Sequence, residues 1–212
     1  MKFPVAALSA YLLISSTGCA ATTTGLFNGR DFAGWELIAV PATDLTAVCQ
    51  MLPDGVIAVT GKPTGFLATV ASHENYRLHA EWRWSGPPGN GGVLVHISSG
   101  PKDRAWPLSV QIQTKNKNVG DVLPMAGATF AEPLTSAPGA TAIRAHTAPD
   151  SEKPAGEWNT CDIVCHADTI EVTINGVAQN KVTRVAPSTG RVGFQLEGAP
   201  FELRHVSLAP LD

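Results

Sequence analysis

The chain has 212 residues, of which 44% are hydrophobic, so it can bury a core of its own and its length favours a single domain. Its 15 Lys and Arg residues against 18 Asp and Glu leave a net charge of -3, which excludes the basic surface that binds nucleic acid. Glycine (20 residues) and proline (16 residues) are abundant and only 16% of residues are charged, a composition typical of short strands joined by turns.

Residues 1–18 have the pattern of a secretory signal peptide. Lys2 precedes an apolar run over residues 3–14, and small residues follow up to Cys19. The run is shorter than the roughly 20 residues that a membrane-spanning helix needs. The small residue before Cys19 resembles a bacterial lipobox, but Ser16 stands where such boxes usually carry Leu, so ordinary cleavage nearby is the alternative. We predict a protein of the periplasm or outer membrane whose membrane contact is a lipid on Cys19, followed by a linker up to residue 25.

Three further cysteines, Cys49, Cys161 and Cys165, leave the disulfide question open. Cys161 and Cys165 lie four residues apart in a predicted strand, which puts their Cα atoms ~13 Å apart, beyond the ~7 Å limit for a bridge. A bridge from Cys49 to either one and three buried free thiols are the remaining alternatives. The spacing of these cysteines does not indicate a structural zinc site.

Residues 76–84 alternate between apolar and polar side chains, which predicts a strand with one buried and one polar face. The polar face carries Arg77, His79, Glu81 and Arg83, and the apolar face carries Tyr76, Leu78, Ala80, Trp82 and Trp84. Residues 92–97 alternate as well, with Val93, Val95 and Ile97 opposite Leu94 and His96. In residues 109–113, Val110 and Ile112 lie opposite Gln111 and Gln113.

The carboxy-terminal third continues the same pattern. Residues 159–166 and 169–174 predict two strands, and Asn175-Gly176 is a favoured hairpin turn before a return strand. Residues 190–197 and 201–208 predict the last two strands. Because these strands alternate with no long helices, we predict an all-β fold, an antiparallel two-sheet sandwich or jelly roll. Its core should contain Val93, Val95, Val110, Ile112, Phe194 and Leu196.

Two segments lack strand signals. Residues 41–51 fit a short helix or a loop, and residues 120–154 are rich in Ala, Pro and Thr. A loop as long as the second one is usually functional or partly disordered. Its polar side chains include Asp121 and His146.

Several short motifs, in order along residues 26–212, resemble the 3-keto-disaccharide hydrolase domain family. They are Leu26-Phe27-Asn28-Gly29-Arg30-Asp31, Gly34-Trp35, Asp54-Gly55-Val56-Ile57, Thr60-Gly61-Lys62-Pro63, Glu81-Trp82-Arg83-Trp84, Gly89-Asn90-Gly91-Gly92-Val93-Leu94 with His96, Gly156-Glu157-Trp158-Asn159, Asn175-Gly176, and Gly193-Phe194-Gln195-Leu196-Glu197-Gly198 with Arg204. The resemblance implies a concanavalin-like jelly roll that cleaves glycosides oxidised to a ketone at sugar carbon 3. Relatives usually carry Glu where this chain has Gln111, and an amide cannot serve as an acid or base.

The implied chemistry defines which side chains to look for. A ketone at carbon 3 acidifies the hydrogen on carbon 2, so elimination of the group on carbon 1, followed by hydration, needs a base, an acid and a donor or cation for the enolate oxygen. As catalytic candidates we name Glu81, His96 and Glu197, and as substrate-binding candidates His79, Arg83, Gln111, Gln113, Gln195 and Arg204.

Glu81 is the first choice for the base because His79 and Arg83 flank it on the same strand face, although a structural ion pair is equally compatible with that pattern. His96 could act as an acid, a base or a metal ligand, or be a hydrogen-bonded structural residue. Arg204 could hold the keto oxygen or neutralise Glu197. A divalent metal could bind if His79, Glu81 and His96 converged, but no spacing requires one, so we predict no metal or cofactor.

Three functions remain compatible with the sequence. The first is an enzyme that cleaves 3-keto-glycosides by elimination and hydration. The second is a non-catalytic carbohydrate-binding domain, which Gln111 favours. The third is an adhesion or structural lipoprotein. The predicted partner is an oxidised disaccharide or glycoside in the first case and a carbohydrate in the second.

Overall fold

The computed structural model describes residues 22–212, in which two antiparallel sheets pack face to face and one short helix is present. This confirms the predicted all-β sandwich. The elements are β1 Thr24–Gly25, β2 Trp35–Val40, α1 Leu45–Val48, β3 Cys49–Met51, β4 Ile57–Val59, β5 Thr64–Thr69, β6 Tyr76–Trp84, β7 Gly92–Asp103, β8 Trp106–Gln113, β9 Val122–Met125, β10 Asn159–His166, β11 Thr169–Ile174, β12 Val177–Val182, β13 Arg191–Leu196 and β14 Phe201–Pro210.

The two sheets differ in size and in strand order. The eight-stranded sheet has the order β12-β11-β10-β6-β14-β4-β3, with β1 beside β14. The six-stranded sheet has the order β2-β5-β13-β7-β8-β9. Neighbouring strands are antiparallel throughout, so each sheet can bury one face against the other and leave its second face outside.

The core between the sheets follows the predicted alternation. All six predicted core residues are buried in one large apolar cluster: Val93, Val95, Val110, Ile112, Phe194 and Leu196. The apolar face of β6 enters the same cluster from the opposite sheet. Burying each such side chain stabilises the fold by roughly 1.5–3 kcal/mol relative to leaving it exposed.

The predicted alternation of β7 is wrong after Val95. His96 has a φ of +55°, and the pairing of β7 with β8 shifts register between Val95 and Ser99. This bulge turns the His96 ring into the core, where its centroid lies 6.1 Å from that of Tyr76. Ile97 consequently lies on the outer face, in a separate small apolar cluster that also contains Phe66, Ala68 and Leu94.

The predicted linker ends earlier than expected. Thr24 and Gly25 form β1 by pairing with Leu208 and Ser207 of β14, so they belong to the sandwich. A two-residue strand held by backbone hydrogen bonds has no side-chain pattern that could have predicted it. The predicted signal peptide and Cys19 lie outside the described residues. No helix within residues 22–212 is long and apolar enough to cross a membrane.

Cys49, Cys161 and Cys165 are all buried free thiols. Burial raises the pKa of Cys49 and that of Cys165 to about 12, and it raises the pKa of Cys161 as well. Thiols that remain protonated in this way are poor nucleophiles and poor metal ligands.

The two segments without strand signals are now assigned. Residues 41–51 hold helix α1 and strand β3, and residues 120–154 hold β9 followed by a long irregular stretch. Residues 120–154 are held to the sandwich by Asn180, whose side-chain amide donates to the carbonyls of Gly120, Arg144 and Ala145, each at 3.2 Å. Asn180 lies on β12, which is an edge strand of the eight-stranded sheet, so these hydrogen bonds hold the loop against the edge of the fold.

Candidate functional site

A cleft of about 490 Å³ lies on the outer face of the six-stranded sheet. That volume is within the range that holds a small-molecule ligand. Strand positions on β8 and β13, the β7–β8 hairpin and the long loop all contribute to it. Its polar lining comprises Asn90, Asp103, Arg104, Gln111, Gln113, Lys115, Thr141, Gln195 and Glu197.

Strand alternation places four of the predicted candidates in this cleft. Val110 and Ile112 point into the core, so Gln111 and Gln113 point outward from β8. In the same way, burial of Phe194 and Leu196 turns Gln195 and Glu197 outward at the end of β13. The cleft is therefore a direct consequence of the period-2 pattern on two strands of one sheet.

Glu197 is a carboxylate of the cleft that is held by two side-chain amides. Its Oε2 atom accepts hydrogen bonds from the side-chain amides of Asn90 at 2.7 Å and Gln195 at 2.9 Å. Within the described residues its Oε1 atom accepts no hydrogen bond. Burial raises the pKa of Glu197, and the positive charges of Lys115 and Arg104 only partly oppose this effect. A carboxyl group with a raised pKa and one free oxygen can both take up and release a proton.

The amides of the cleft floor are oriented by hydrogen bonds along the sheet. Gln111 donates its side-chain amide to the side-chain oxygen of Gln113, and Gln195 donates to Glu197. Glycine at position 92 makes room for this arrangement, since a Cβ atom there would lie 2.6 Å from the side chain of Gln111. The Oε1 atoms of Gln111 and Gln195 are buried and have no partner within residues 22–212.

The walls of the cleft combine apolar and charged groups. Trp106, Leu123, Met125 and Ile143 supply apolar surface, and Arg104 pairs with Asp103 at 3.5 Å. An indole at such a wall offers a flat surface of the kind on which a sugar ring packs.

The long loop forms one wall through residues 139–143. Its far end is held by His146, whose backbone nitrogen and ring Nδ1 lie 2.8 and 2.6 Å from Oδ1 of buried Asp121. Asp121 and His146, the two polar side chains noted in this segment, therefore bind each other and anchor the wall.

Four of the other predicted candidates, His79, Glu81, Arg83 and Arg204, lie on the outer face of the eight-stranded sheet. Glu81 accepts hydrogen bonds from Arg204 at 2.7 Å and from His205 at 2.8 Å. His79 lies 2.8 Å from Asp162, and Arg83 pairs with Glu202 at 2.6 Å. Arg83 and Arg204 also lie over the ring of Trp158, at 4.5 and 4.1 Å from its centroid. The expectation that Arg204 neutralises Glu197 is thus wrong, because its partner is Glu81.

These contacts make Glu81 a weak base. Burial alone would raise the pKa of Glu81, but the hydrogen bonds and positive charges of His205 and Arg204 outweigh it and hold the pKa below its usual value. His205 was absent from the sequence-based candidates because a bulge in β14 between Arg204 and Ser207 places it beside Glu81. The alternation of β14 alone does not predict this position.

His96 lies in neither cluster. Its side chain is 0% exposed, and its Nδ1 atom lies 3.0 Å from the carbonyl oxygen of Pro187, to which it donates. Burial lowers the pKa of His96 to about 4, and the hydrogen bond to Pro187 opposes this only partly. His79 and Glu81 lie on the outer face of β6 and His96 lies in the core, so the three side chains do not converge. No group of three or more potential ligands in the described chain is arranged to bind a metal ion.

Residues 22–209 match the family described as the 3-keto-alpha-glucoside-1,2-lyase-like domain. The chain belongs to this family. No curated protein is significantly similar to it in sequence. This member of the 3-keto-alpha-glucoside-1,2-lyase-like family is similar in fold to several solved structures.

Three solved structures illustrate that fold. A candidate glycosyl hydrolase from Parabacteroides distasonis ATCC 8503 is 22% identical, with a TM-score of 0.66 over 90% of this chain and 94% of that one. The carbohydrate-binding module CBM66 from Bacillus subtilis is 11% identical, with a TM-score of 0.59 over 83% and 95%. A Bacillus licheniformis beta-glucanase is 11% identical, with a TM-score of 0.55 over 92% and 100%. At these identities the likeness shows the jelly-roll fold.

Several residues that line the cleft were not among the candidates named from the sequence. Asn90 lies in the motif Gly89-Asn90-Gly91-Gly92, and its glycines could have indicated a close approach of backbone to ligand. Asp103, Arg104 and Lys115 lie at or beyond strand ends, where no periodicity predicts which way a side chain points.

Proposed function

We propose that the cleft binds a glycoside oxidised at carbon 3, and that Glu197 removes the proton from carbon 2 to start cleavage at carbon 1. The observation that carries this proposal is the surroundings of Glu197, a carboxylate held by neutral amides with a pKa raised by burial. Membership of the 3-keto-alpha-glucoside-1,2-lyase-like family supports the choice of substrate class.

The reaction is a β-elimination followed by addition of water. Glu197 takes the proton as the bond between carbon 2 and hydrogen breaks, and the electron pair moves into the enolate of the carbon 3 ketone. The enolate then forms a double bond between carbons 1 and 2 as the bond from carbon 1 to the glycosidic oxygen breaks. The departing oxygen takes up the proton from Glu197, and water later adds across the new double bond to give the free keto-sugar.

Two cations near Glu197 support the enolate step. Lys115 and Arg104 line the same cleft and act electrostatically on Glu197. Positive charge directed at a developing oxyanion lowers the barrier to proton removal. We assign both residues to the binding of the ketone oxygen.

This proposal moves the catalytic base from Glu81 to Glu197. Glu81 is held by Arg204 and His205, and removing a proton from carbon 2 would require it to give up those contacts. In this assignment, His79, Glu81, Arg83 and Arg204 stabilise the eight-stranded sheet.

A non-catalytic carbohydrate-binding domain is the second candidate function. Gln111 supports it, because an amide, which cannot serve as an acid or base, occupies a cleft position where the family resemblance implies a carboxylate. Gln111→Glu distinguishes the two functions. If the wild type is inert on every keto-sugar and this variant gains hydrolysis, the natural protein is a binding domain.

The experiment that tests the enzyme proposal compares matched substrates. Purified protein is incubated with 3-keto-disaccharides and with the same disaccharides unoxidised, and release of free sugar is followed. We expect release from the keto-sugars alone, because the carbon 2 proton is acidic only beside the ketone. Equal release from both sets would contradict elimination.

We also propose that the protein is exported and lipid-anchored through Cys19, on the basis of the signal-like residues 1–18. Cys19→Ser should then move the protein from the membrane fraction to the soluble fraction of cells. Unchanged membrane association of this variant would show that Cys19 is not the anchor.

A further inference from the structure

Two buried amide oxygens in the floor of the cleft lack hydrogen-bond partners within the described chain. They are the Oε1 atoms of Gln111 and Gln195, whose residues are 1% and 3% exposed. A buried acceptor left unsatisfied costs roughly 1–3 kcal/mol. Polar atoms retained at this cost in a cleft need a donor from a ligand or from water.

The orientation of Gln195 follows from its neighbour. Its amide nitrogen donates to Oε2 of Glu197 at 2.9 Å, and an ionised carboxylate can only accept. The nitrogen must therefore face Glu197, which turns the oxygen away from it. Gln111 is arranged similarly, because its nitrogen donates to the side-chain oxygen of Gln113 and its own oxygen is left free.

The two amides flank a position without a side chain. Gly92 lies on β7, between β13 and β8, and it pairs with Gln113. A Cβ atom at position 92 would lie 2.6–2.8 Å from atoms of the Gln111 side chain, so glycine lets this side chain lie across the strand. The result is a floor made of amide groups beside Glu197.

We propose that these two amide oxygens accept hydrogen bonds from two hydroxyl groups of one uncharged sugar, one of them on carbon 6, and that the subsite therefore selects neutral sugars over uronates. The inference rests on the proposed function and refines its substrate class. The carbon 6 hydroxyl of a neutral sugar donates a proton to one of these oxygens, whereas a carboxylate at carbon 6 presents only acceptors and leaves that oxygen unpaired. Sites with buried polar groups reject ligands that leave those groups unpaired.

The test measures binding of ligands that cannot be cleaved. A 3-keto C-glucoside has carbon in place of the glycosidic oxygen, so no leaving group departs, and its partner ligand carries a carboxylate at carbon 6. Each deoxy analogue of the neutral ligand lacks one of its hydroxyl groups. Affinities are measured by calorimetry for wild type, Gln111→Met and Gln195→Met. The matched control is Gln50→Met, at an exposed glutamine of β3 in the eight-stranded sheet.

We expect the wild type to bind the neutral ligand about tenfold or more tightly than the carboxylate ligand, the effect of one hydrogen bond of ~1.4 kcal/mol. Gln111→Met and Gln195→Met should each bind the neutral ligand about tenfold less tightly, and Gln50→Met should bind it as tightly as the wild type does. One deoxy analogue should bind the wild type about tenfold less tightly, yet bind Gln111→Met as well as the parent ligand does.

Several results would overturn the inference. They are equal wild-type affinity for the neutral and carboxylate ligands, wild-type affinity in both Gln→Met variants, and no binding of either ligand. The deoxy series uses unaltered protein, so the inference stays testable if a variant fails to fold. Selective binding of the neutral ligand by a protein that cleaves no keto-sugar would overturn the proposed reaction and support this inference. Cleavage of keto-sugars at the same rate by the wild type and both Gln→Met variants would support the proposed reaction and overturn this inference.

Discussion

Glu197 and Glu81 are both turned outward by the alternation of a strand, on opposite sides of the sandwich, and they differ in their partners. Glu197 is held by the neutral amides of Asn90 and Gln195, and its pKa is raised. Glu81 is held by Arg204 and His205, and its pKa is lowered. The same side chain on the same kind of strand face thus has opposite acid–base character.

The comparison shows that availability for chemistry depends on the charge of the partners. A neutral amide fixes the position of a carboxylate and leaves its negative charge free to take up a proton. A guanidinium group fixes the position as well, but it stabilises the ionised form and weakens the base. For this reason the cleft of the six-stranded sheet is the better candidate for proton transfer.

The largest expected effect concerns the two carboxylates directly. Glu197→Gln should lower turnover of a 3-keto-disaccharide by roughly 100-fold or more, because the amide cannot take up the carbon 2 proton. Glu81→Gln should leave turnover within about threefold of the wild type, since its role is structural. Initial rates of sugar release check both values. A Glu81→Gln loss as large as that of Glu197→Gln would break the comparison.

His96 adds a third case to this comparison, a titratable side chain that is fully buried and out of reach of a ligand. Its pKa falls from 6.5 to about 4 in the folded protein, so the unfolded chain binds the proton first as pH falls below 6.5. Folding stability is therefore lost between pH 6.5 and about 4, by roughly 2 kcal/mol at pH 5. Urea unfolding at pH 7 and pH 5 measures this loss.

The control for that measurement replaces the buried ring. His96→Gln should be less stable at both pH values but should lose less stability on going from pH 7 to pH 5. His166→Gln, which changes an exposed histidine, serves as the matched surface variant. An identical pH response in wild type and His96→Gln would contradict the assignment.

The smallest expected effect is the structural contribution of Glu81. Glu81→Gln should lower the free energy of unfolding by about 1 kcal/mol, because its pair with Arg204 is only partly buried. Glu171→Gln is the control, since its pair with Lys181 has side chains that are 50% and 60% exposed and should contribute close to nothing. Chemical denaturation of both variants at pH 7 measures the difference. Equal losses would show that the Glu81 pair has no special structural role.

The fold was predictable because its strands alternate. The pattern on β6, β8 and β13 identified the buried faces, and Asn175-Gly176 identified a hairpin. The pattern failed at His96, because a bulge with positive φ reverses the faces and no side-chain type requires it. It also missed β1, which is held by backbone pairing alone.

The site was predictable only as a set of outward-facing residues. Alternation identified Glu81 and Glu197 equally well, but their separation onto two sheets depends on strand order, which alternation does not contain. The ion pairs that distinguish them come from β14. Arg204 is the direct cross-strand partner of Glu81, and the His205 contact depends on the bulge at residues 204–207. The cleft cations Arg104 and Lys115 lie at or beyond strand ends, and only the folded chain brings them beside Glu197.

Loss of deuterium from carbon 2 tests the central claim most directly. A 3-keto-glucoside labelled with deuterium at carbon 2 is incubated with wild type, Glu197→Gln and Glu81→Gln, and transfer of the label to water is followed by NMR. We expect the wild type and Glu81→Gln to release the label rapidly and Glu197→Gln to release it no faster than buffer. Release by Glu197→Gln at the wild-type rate, with none by Glu81→Gln, would contradict the assignment of Glu197 as the base.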